Sequence, residues 1–363
     1  MLLLLYSVVA GAFCFSVLQE KFCNTTLRKI YCIALFIPLS FVAGVRNYTV
    51  GSDTAMYYGI FKSIQDVPFS FSLLDDTFNI ELGYRASNYL VGCLSHNPEI
   101  FMYIFSTITI AGYMWFFYRE SQNIWLTIFL FIGLSFYTET FNSARQQFAC
   151  VVLCLGTRFL LINDRIRWNI SVLFAMLFHV TAAFFFIFNF IMPISKKKIL
   201  WFAVISIVGF VFSDTILSYI TLFYPDFKYG YYLVSESVNS ASLGDYLRAV
   251  LFAVILLYFI IKNKRFLADE ENSYETKRML LWSIFLLYAT LFIIAKQQFI
   301  IFYRMIQYFS LYLCLLLPAL LNKEGLIKYQ VYFLVLILTP VILTYLTSIN
   351  PDLDYTSFLL DWF

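Results

Sequence analysis

Charge is scarce in this 363-residue chain: Asp, Glu, Lys and Arg make up 13% of it, against roughly a quarter in a soluble domain. So little charge cannot build a water-facing surface. Histidine is nearly absent, with two residues, and no His or Cys spacing matches a metal site, so neither metal nor cofactor is expected. The seven cysteines are scattered. Cys14, Cys32, Cys150, Cys154 and Cys314 lie inside apolar runs, which excludes a disulfide framework. There is no glycine-rich phosphate loop and no Gly-x-Ser-x-Gly nucleophile turn. A net charge of +3 without a basic tail gives no sign of a nucleic-acid partner. Short alternating segments of the kind that build a lipid-facing barrel are missing too.

Apolar sequence is abundant. Hydrophobic residues make up 61% of the chain, and its mean hydropathy is +0.77. Runs near 18 residues recur throughout, the length a helix needs to cross about 30 Å of hydrocarbon. The expected fold is all-α, a polytopic bundle of about 12 membrane helices in one membrane domain over 1–363. The expected spans are 2–18, 30–45, 99–117, 124–138, 147–162, 168–180, 181–194, 199–212, 246–261, 279–295, 304–321 and 329–347. The first lacks a positive n-region and reads as a retained helix rather than a signal peptide. Asn97-Pro98 reads as a cap plus first-turn proline for the third span.

Short loops rich in Lys and Arg stay in the cytoplasm. Lys21, Arg28 and Lys29, then Arg119, Arg165 and Arg167, Lys196 to Lys198, the 262–278 cluster, and Lys323 with Lys328 fall on one side only if 168–194 is a tight hairpin of two short helices. That topology holds sixteen basic residues inside and eight outside, whereas a single crossing there leaves ten inside against fourteen. Both termini then face outward, and the outward loops are 46–98, 139–147 and 213–245. In the first of them, Ser52 or Asp53 is an expected N-cap. Met56, Tyr57, Ile60, Phe61 and Ile64 recur at helical spacing, predicting a helix along the membrane surface.

Arginine on the outer side runs against the positive-inside bias, so each one calls for a reason. Arg145, in Asn142-Ser143-Ala144-Arg145-Gln146-Gln147, sits in the opening turn of a span with Asn142 or Ser143 as the expected cap. A helix N-terminus carrying a guanidinium suits phosphate. The plainer reading pairs Arg145 with Glu139 or lets it snorkel to headgroups. Arg304, Gln307 and Tyr308 share a helix face, and polar stripes in membrane helices usually face the bundle interior or a water-filled cavity. Arg248 follows Asp245 by three residues, which favours a local pair. Arg46 and Arg85 either hold a phosphate or organise the first outer loop. Asp53, Glu81 and Glu139 are outward carboxylates able to act as a general base in a partly dry site. His179 sits near the hairpin turn, where a lone histidine is more often structural. Asp352-Leu353-Asp354 has an Asp-x-Asp pattern but reads as a solvated tail. Outward cations and carboxylates with no nucleotide motif fit an anionic lipid substrate on the non-cytoplasmic face.

Several of these pieces, in order, resemble the EpsG-type branch of the Wzy polysaccharide polymerases. They are Arg46 with Gly51-Ser52-Asp53 and Tyr57, Glu81-Leu82-Gly83-Tyr84, Asn142 to Gln147, Phe178-His179-Val180-Thr181, and Tyr303-Arg304 with Tyr308. Thr181 stands where a His-x-Ser-Ala form is expected. The resemblance implies a GT-C-like, lipid-dependent transferase of a bacterial inner membrane, with its active site facing the periplasm. Its substrates would be undecaprenyl-diphosphate-linked oligosaccharides among membrane lipids, with a chain-length regulator protein as a partner. Arg145 and Arg304, supported by Arg248 and Arg46, would hold the diphosphate. Asp53, then Glu81, Glu139 or His179, would serve as base. Tyr57, Tyr303, Tyr308 and Gln146 would contact sugar. A flippase for lipid-linked oligosaccharide, or a ligase-like transferase, is the alternative.

Overall fold

A computed structural model describes residues 25–65, 80–212, 215, 219, 243–262, 273–295 and 300–323. These residues are all-helical in class, with no strand among them. Among the described residues, four stretches are long and apolar enough to cross a membrane: Thr25–Gly44, Pro98–Glu120, Tyr274–Ala295 and Arg304–Leu321. Ile124–Gly133 and Phe136–Asn142 together make a fifth if that bent pair is one span. The expected spans 2–18 and 329–347, the Asp352-Leu353-Asp354 tail and most of loop 213–245 lie outside the described residues.

The chain divides into two units. The described part of the first holds α1 (Thr25–Gly44), α2 (Thr54–Gln65), α3 (Leu82–Gly92), α4 (Pro98–Glu120), α5 (Ile124–Gly133), α6 (Phe136–Asn142) and the start of α7 (Ala144–Leu161). Helices α1 and α4 pack antiparallel. At one end the Arg28 guanidinium donates to the carbonyls of Tyr118 and Ser121 (2.7 Å to the latter), at the C-terminus of α4. At the other, Gly44 lies so close to the Tyr103 ring that a side chain would collide with it. The cap on α4 is as expected: Asn97 Oδ1 accepts from the Glu99 N–H at 2.8 Å, with Pro98 behind it. Along α1, Ile30, Ile33, Ile37 and Phe41 form an exposed apolar stripe, which suits lipid and not water.

The span expected over 124–138 is broken. Helix α5 ends at Gly133, Ser135 takes a left-handed conformation (φ 65°), and α6 leaves at a bend of 50°. The Ser135 carbonyl accepts from the Glu139 N–H at 3.0 Å, so the residue that stops one helix starts the next. The amphipathic helix expected in the first outer loop is α2. It buries Tyr57, Phe61 and Ile64 and leaves Met56 exposed.

The second unit comprises Arg158–Trp168 and Phe186–Leu320. Within it α9 (Lys196–Val211), α10 (Leu243–Lys262) and α12 (Ile300–Ser310) pack on α11 (Tyr274–Ala295), and α13 (Leu313–Lys323) follows. Phe188, Phe285, Tyr288, Phe292 and Phe309 mesh at centroid distances of 4.8–6.0 Å. In lipid such packing, worth about 0.5–1.5 kcal/mol per aromatic pair, replaces the hydrophobic drive that water provides. Val250, Val254, Leu257 and Ile261 line the exposed side of α10.

The 168–194 stretch is a hairpin. α8 (Arg165–Met176) is followed by a 3-10 segment, Val180–Ile191. The chain comes back to its start, because Arg165 Nη2 and Lys198 Nζ both donate to the Met192 carbonyl, at 3.0 and 2.6 Å. Cations at residues 165 and 198 therefore share one end of the hairpin, as the basic-residue count requires.

Candidate functional site

Glycines let three distant segments meet in the first unit. Gly51 has φ +92°, a conformation glycine adopts at little cost. A side chain there would also strike the Phe141 carbonyl at 2.8 Å. The turn it makes docks on the end of α6: the Ser52 N–H donates to Asn142 Oδ1 at 3.2 Å, and Thr54 Oγ1 donates to the Phe141 carbonyl at 3.1 Å. The Asn142 side chain therefore holds this turn and does not cap α7. Ser143 is the residue that precedes α7, its carbonyl accepting from the Gln147 N–H at 2.8 Å. Gly83 lets the hairpin tip approach α3, since its N–H donates to the Leu177 carbonyl at 2.7 Å, and a Cβ there would lie 2.7 Å from the same oxygen.

These contacts bring Glu81 to Arg145. Glu81 stands at the N-cap of α3 with extended backbone, φ −61° and ψ 142°. Its Oε2 pairs with Arg145 Nη1, and its Oε1 accepts from the Val180 N–H at 3.2 Å. Each side chain is 18% exposed. The guanidinium lies over the Tyr57 and Tyr84 rings, 5.9 and 5.7 Å from their centroids, and those two rings are 5.5 Å apart. Burial disfavours a charged Arg145, yet the Glu81 carboxylate, with Tyr57 beside it, outweighs that and lifts its pKa above the ordinary arginine value. Burial raises the Tyr84 phenol well above its usual range, so that ring acts as a neutral wall. At the hairpin tip, His179 Nδ1 and Thr181 Oγ1 are hydrogen-bonded at 2.6 Å. Threonine in place of the expected serine keeps the hydroxyl that orients this ring.

Of the residues singled out by sequence, the structure brings together Glu81, Arg145, Tyr57 and the His179 tip. Asp53 belongs to the same region, half-buried one turn before Tyr57, whose N–H bonds its carbonyl at 3.1 Å. Glu139 lies half-buried on α6 and is not the partner of Arg145. Arg46 is fully buried at the end of α1, donating to the Ala43 carbonyl and to Ser106 Oγ (2.9 Å), with its guanidinium over Phe141. This geometry braces the Phe141 segment and offers no surface to a phosphate in solution. Tyr57 is 2% exposed and Gln146 1%, so neither presents a face for sugar stacking. In the second unit Arg304 is half-buried on α12 beside a buried Tyr308, and Arg248 is exposed on α10. The side chain of Tyr303 lies outside what is described. Sequence reasoning assigned no role to Tyr84 or to the Val180 N–H. The signal for Tyr84 was its place in the Glu81-Leu82-Gly83-Tyr84 run, whereas a backbone donor leaves none.

Exposed apolar helix stripes and a cation–carboxylate pair framed by aromatics, set at helix ends, define a helical membrane protein with a polar site in its first unit. The chain belongs to the EpsG family, that of the Wzy-type polysaccharide polymerases, which it matches over residues 29–359. It is thus a polysaccharide polymerase-like membrane protein. No curated protein and no solved structure matches it.

Proposed function

We propose that this chain polymerises polysaccharide repeat units on the periplasmic face of a bacterial inner membrane, through a GT-C-like bundle of about a dozen spans acting as one membrane domain. A growing glycan on undecaprenyl diphosphate is the donor, and the end sugar of a lipid-linked repeat is the acceptor. The acceptor oxygen attacks the anomeric carbon as the carbon–oxygen bond to the diphosphate breaks, inverting the configuration, and the acceptor proton passes to a protein base. The departing diphosphate gains charge as that bond breaks, and a fixed guanidinium stabilises it without a metal. Arg145 carries that role in the first unit. Arg304 and the exposed Arg248 are further cations for the lipid diphosphates, while Arg46 supports from within the fold. Asp53 and His179 are the groups we assign to proton acceptance, with Glu139 behind them. A chain-length regulator is the expected protein partner.

The observation that carries this reading is the convergence on Arg145 of the Gly51-to-Tyr57, Glu81-to-Tyr84 and Phe178-to-Thr181 segments, pieces of the same ordered pattern. A glycan gel of a strain lacking the gene, complemented with wild type or Arg145→Ala, tests it. The expected result is a ladder restored by wild type alone, with the variant present in the membrane at wild-type level. Arg145→Lys should rescue little, because an ammonium lacks the planar fork that grips phosphate with two parallel bonds. A normal ladder from Arg145→Ala, or from the uncomplemented deletion, refutes the proposal.

A further inference from the structure

We infer that Glu81 is a positioning residue: it fixes the Arg145 guanidinium for the lipid diphosphate and ties it to the His179 hairpin tip, and it is not the general base. This inference rests on the polymerase reading above. Both Glu81 oxygens already accept an N–H, one from Arg145 and one from the Val180 backbone at 3.2 Å. A base would need an oxygen turned to the acceptor hydroxyl. The anchoring is stiff, because two neighbouring bonds, Val180 N–H to Glu81 and Gly83 N–H to the Leu177 carbonyl at 2.7 Å, clamp the tip to the start of α3.

The arrangement also answers a local problem. Arg145 lies in the first turn of α7, where the positive end of the helix dipole disfavours a cation. Glu81, 64 residues away in sequence, supplies the compensating charge. It takes Nη1, and the Tyr57 and Tyr84 rings flank the guanidinium. The fork is thereby held in one orientation for the diphosphate. Because the same carboxylate holds Val180, any movement of the guanidinium is felt at His179, one residue away.

The test is an in-vitro assay of the full-length protein in detergent, using the undecaprenyl-diphosphate-linked repeat unit as substrate, on Glu81→Gln, Glu81→Ala, Arg145→Ala and the Glu81→Ala/Arg145→Ala double variant. Glutamine keeps one uncharged acceptor oxygen, enough for either the Arg145 or the Val180 N–H but not for both, so kcat should fall about tenfold and the acid limb of its pH profile should stay where it is. Alanine releases the guanidinium, so kcat should fall on the order of 10²–10³-fold with a smaller change in KM. The double variant should be no slower than Arg145→Ala alone, since Glu81 acts through that residue. Thermal melting of each variant separates these losses from misfolding, and Glu81→Gln keeps the test sound if Glu81→Ala does not fold. Glu81→Gln as inactive as Glu81→Ala, with the acid limb erased, would make Glu81 the base and overturn the inference while leaving the polymerase reading intact. Wild-type kcat in Glu81→Ala, or multiplicative losses in the double variant, would overturn it as well. Wild-type activity in Arg145→Ala would overturn both.

Discussion

Replacing Gly83 by alanine should destabilise the protein, whereas the same change at Gly59 should stabilise it. At Gly83 a Cβ would lie 2.7 Å from the Leu177 carbonyl oxygen and 2.8 Å from Leu177 Cβ. Neither atom can swing aside as the end of a long side chain could, so the hairpin tip or α3 must move. Overpacking of this sort costs about 1–3 kcal/mol, and the displaced Gly83 N–H bond to Leu177 adds roughly 1 kcal/mol. Alanine returns up to about 1 kcal/mol through helix propensity, which leaves a net loss of about 1–3 kcal/mol. Gly59 lies mid-way along α2 with nothing within 4 Å of the added methyl, so only the propensity gain of about 0.5–1 kcal/mol remains. Denaturation midpoints of the two variants in detergent, measured beside wild type, read these signs directly. Gly83→Ala should also lose more polymer than its stability accounts for, because the shift draws Val180 away from Glu81. Equal midpoints for the two variants would refute the close approach of hairpin tip and α3.

Arg28→Ala should lower the denaturation midpoint by a stability equivalent of about 1–2 kcal/mol, since the side chain donates to the Tyr118 and Ser121 carbonyls at the C-terminus of α4. Arg28→Lys should recover part of the loss, and a wild-type midpoint in the alanine variant would rule the capping role out. Sidedness can be read from cysteine labelling. Cys93 is exposed in a loop that the proposed topology places outside, so in a Cys14→Ser/Cys23→Ser background an impermeant maleimide should modify it in intact spheroplasts. A cysteine replacing the exposed Lys197 should react only after permeabilisation. The reverse pattern would invert the topology and move the site to the cytoplasm.

Local signals in the sequence carried over into the structure wherever the cause was local. Asn97-Pro98 starts α4 because a side-chain acceptor and a missing N–H act within one turn of chain. The spacing of Tyr57, Phe61 and Ile64 forms the buried face of α2 for the same reason. The hairpin was legible only through charge counting, since 168–194 is apolar enough for a single crossing and only the cations flanking it favoured a return. The break at Ser135 left no such trace. Ser135 is an ordinary residue in an apolar run, and the Gly51 segment that docks on the far end of α6, at Phe141 and Asn142, comes from more than 80 residues earlier in the chain.

The identity of Arg145's partner shows the same limit at the site. Glu139 was the near carboxylate, but it is six residues from Arg145, and side chains on a helix meet at separations of three or four. The Ser143 interruption between α6 and α7 removes even that regular geometry. Glu81 reaches Arg145 because α3 begins where the hairpin tip is pinned, and that pinning depends on Gly83 having no Cβ. A carboxylate that reads in sequence as a candidate base in an outer loop thus becomes one half of a half-buried pair beside two aromatic rings. The pairing changes what the arginine can do: alone at a helix N-terminus it would be a loose cation, whereas held at one nitrogen and flanked by rings it is an oriented fork. An oriented fork favours a transition state in which charge grows at one place. Activity should therefore follow the geometry of Glu81 as closely as the charge of Arg145.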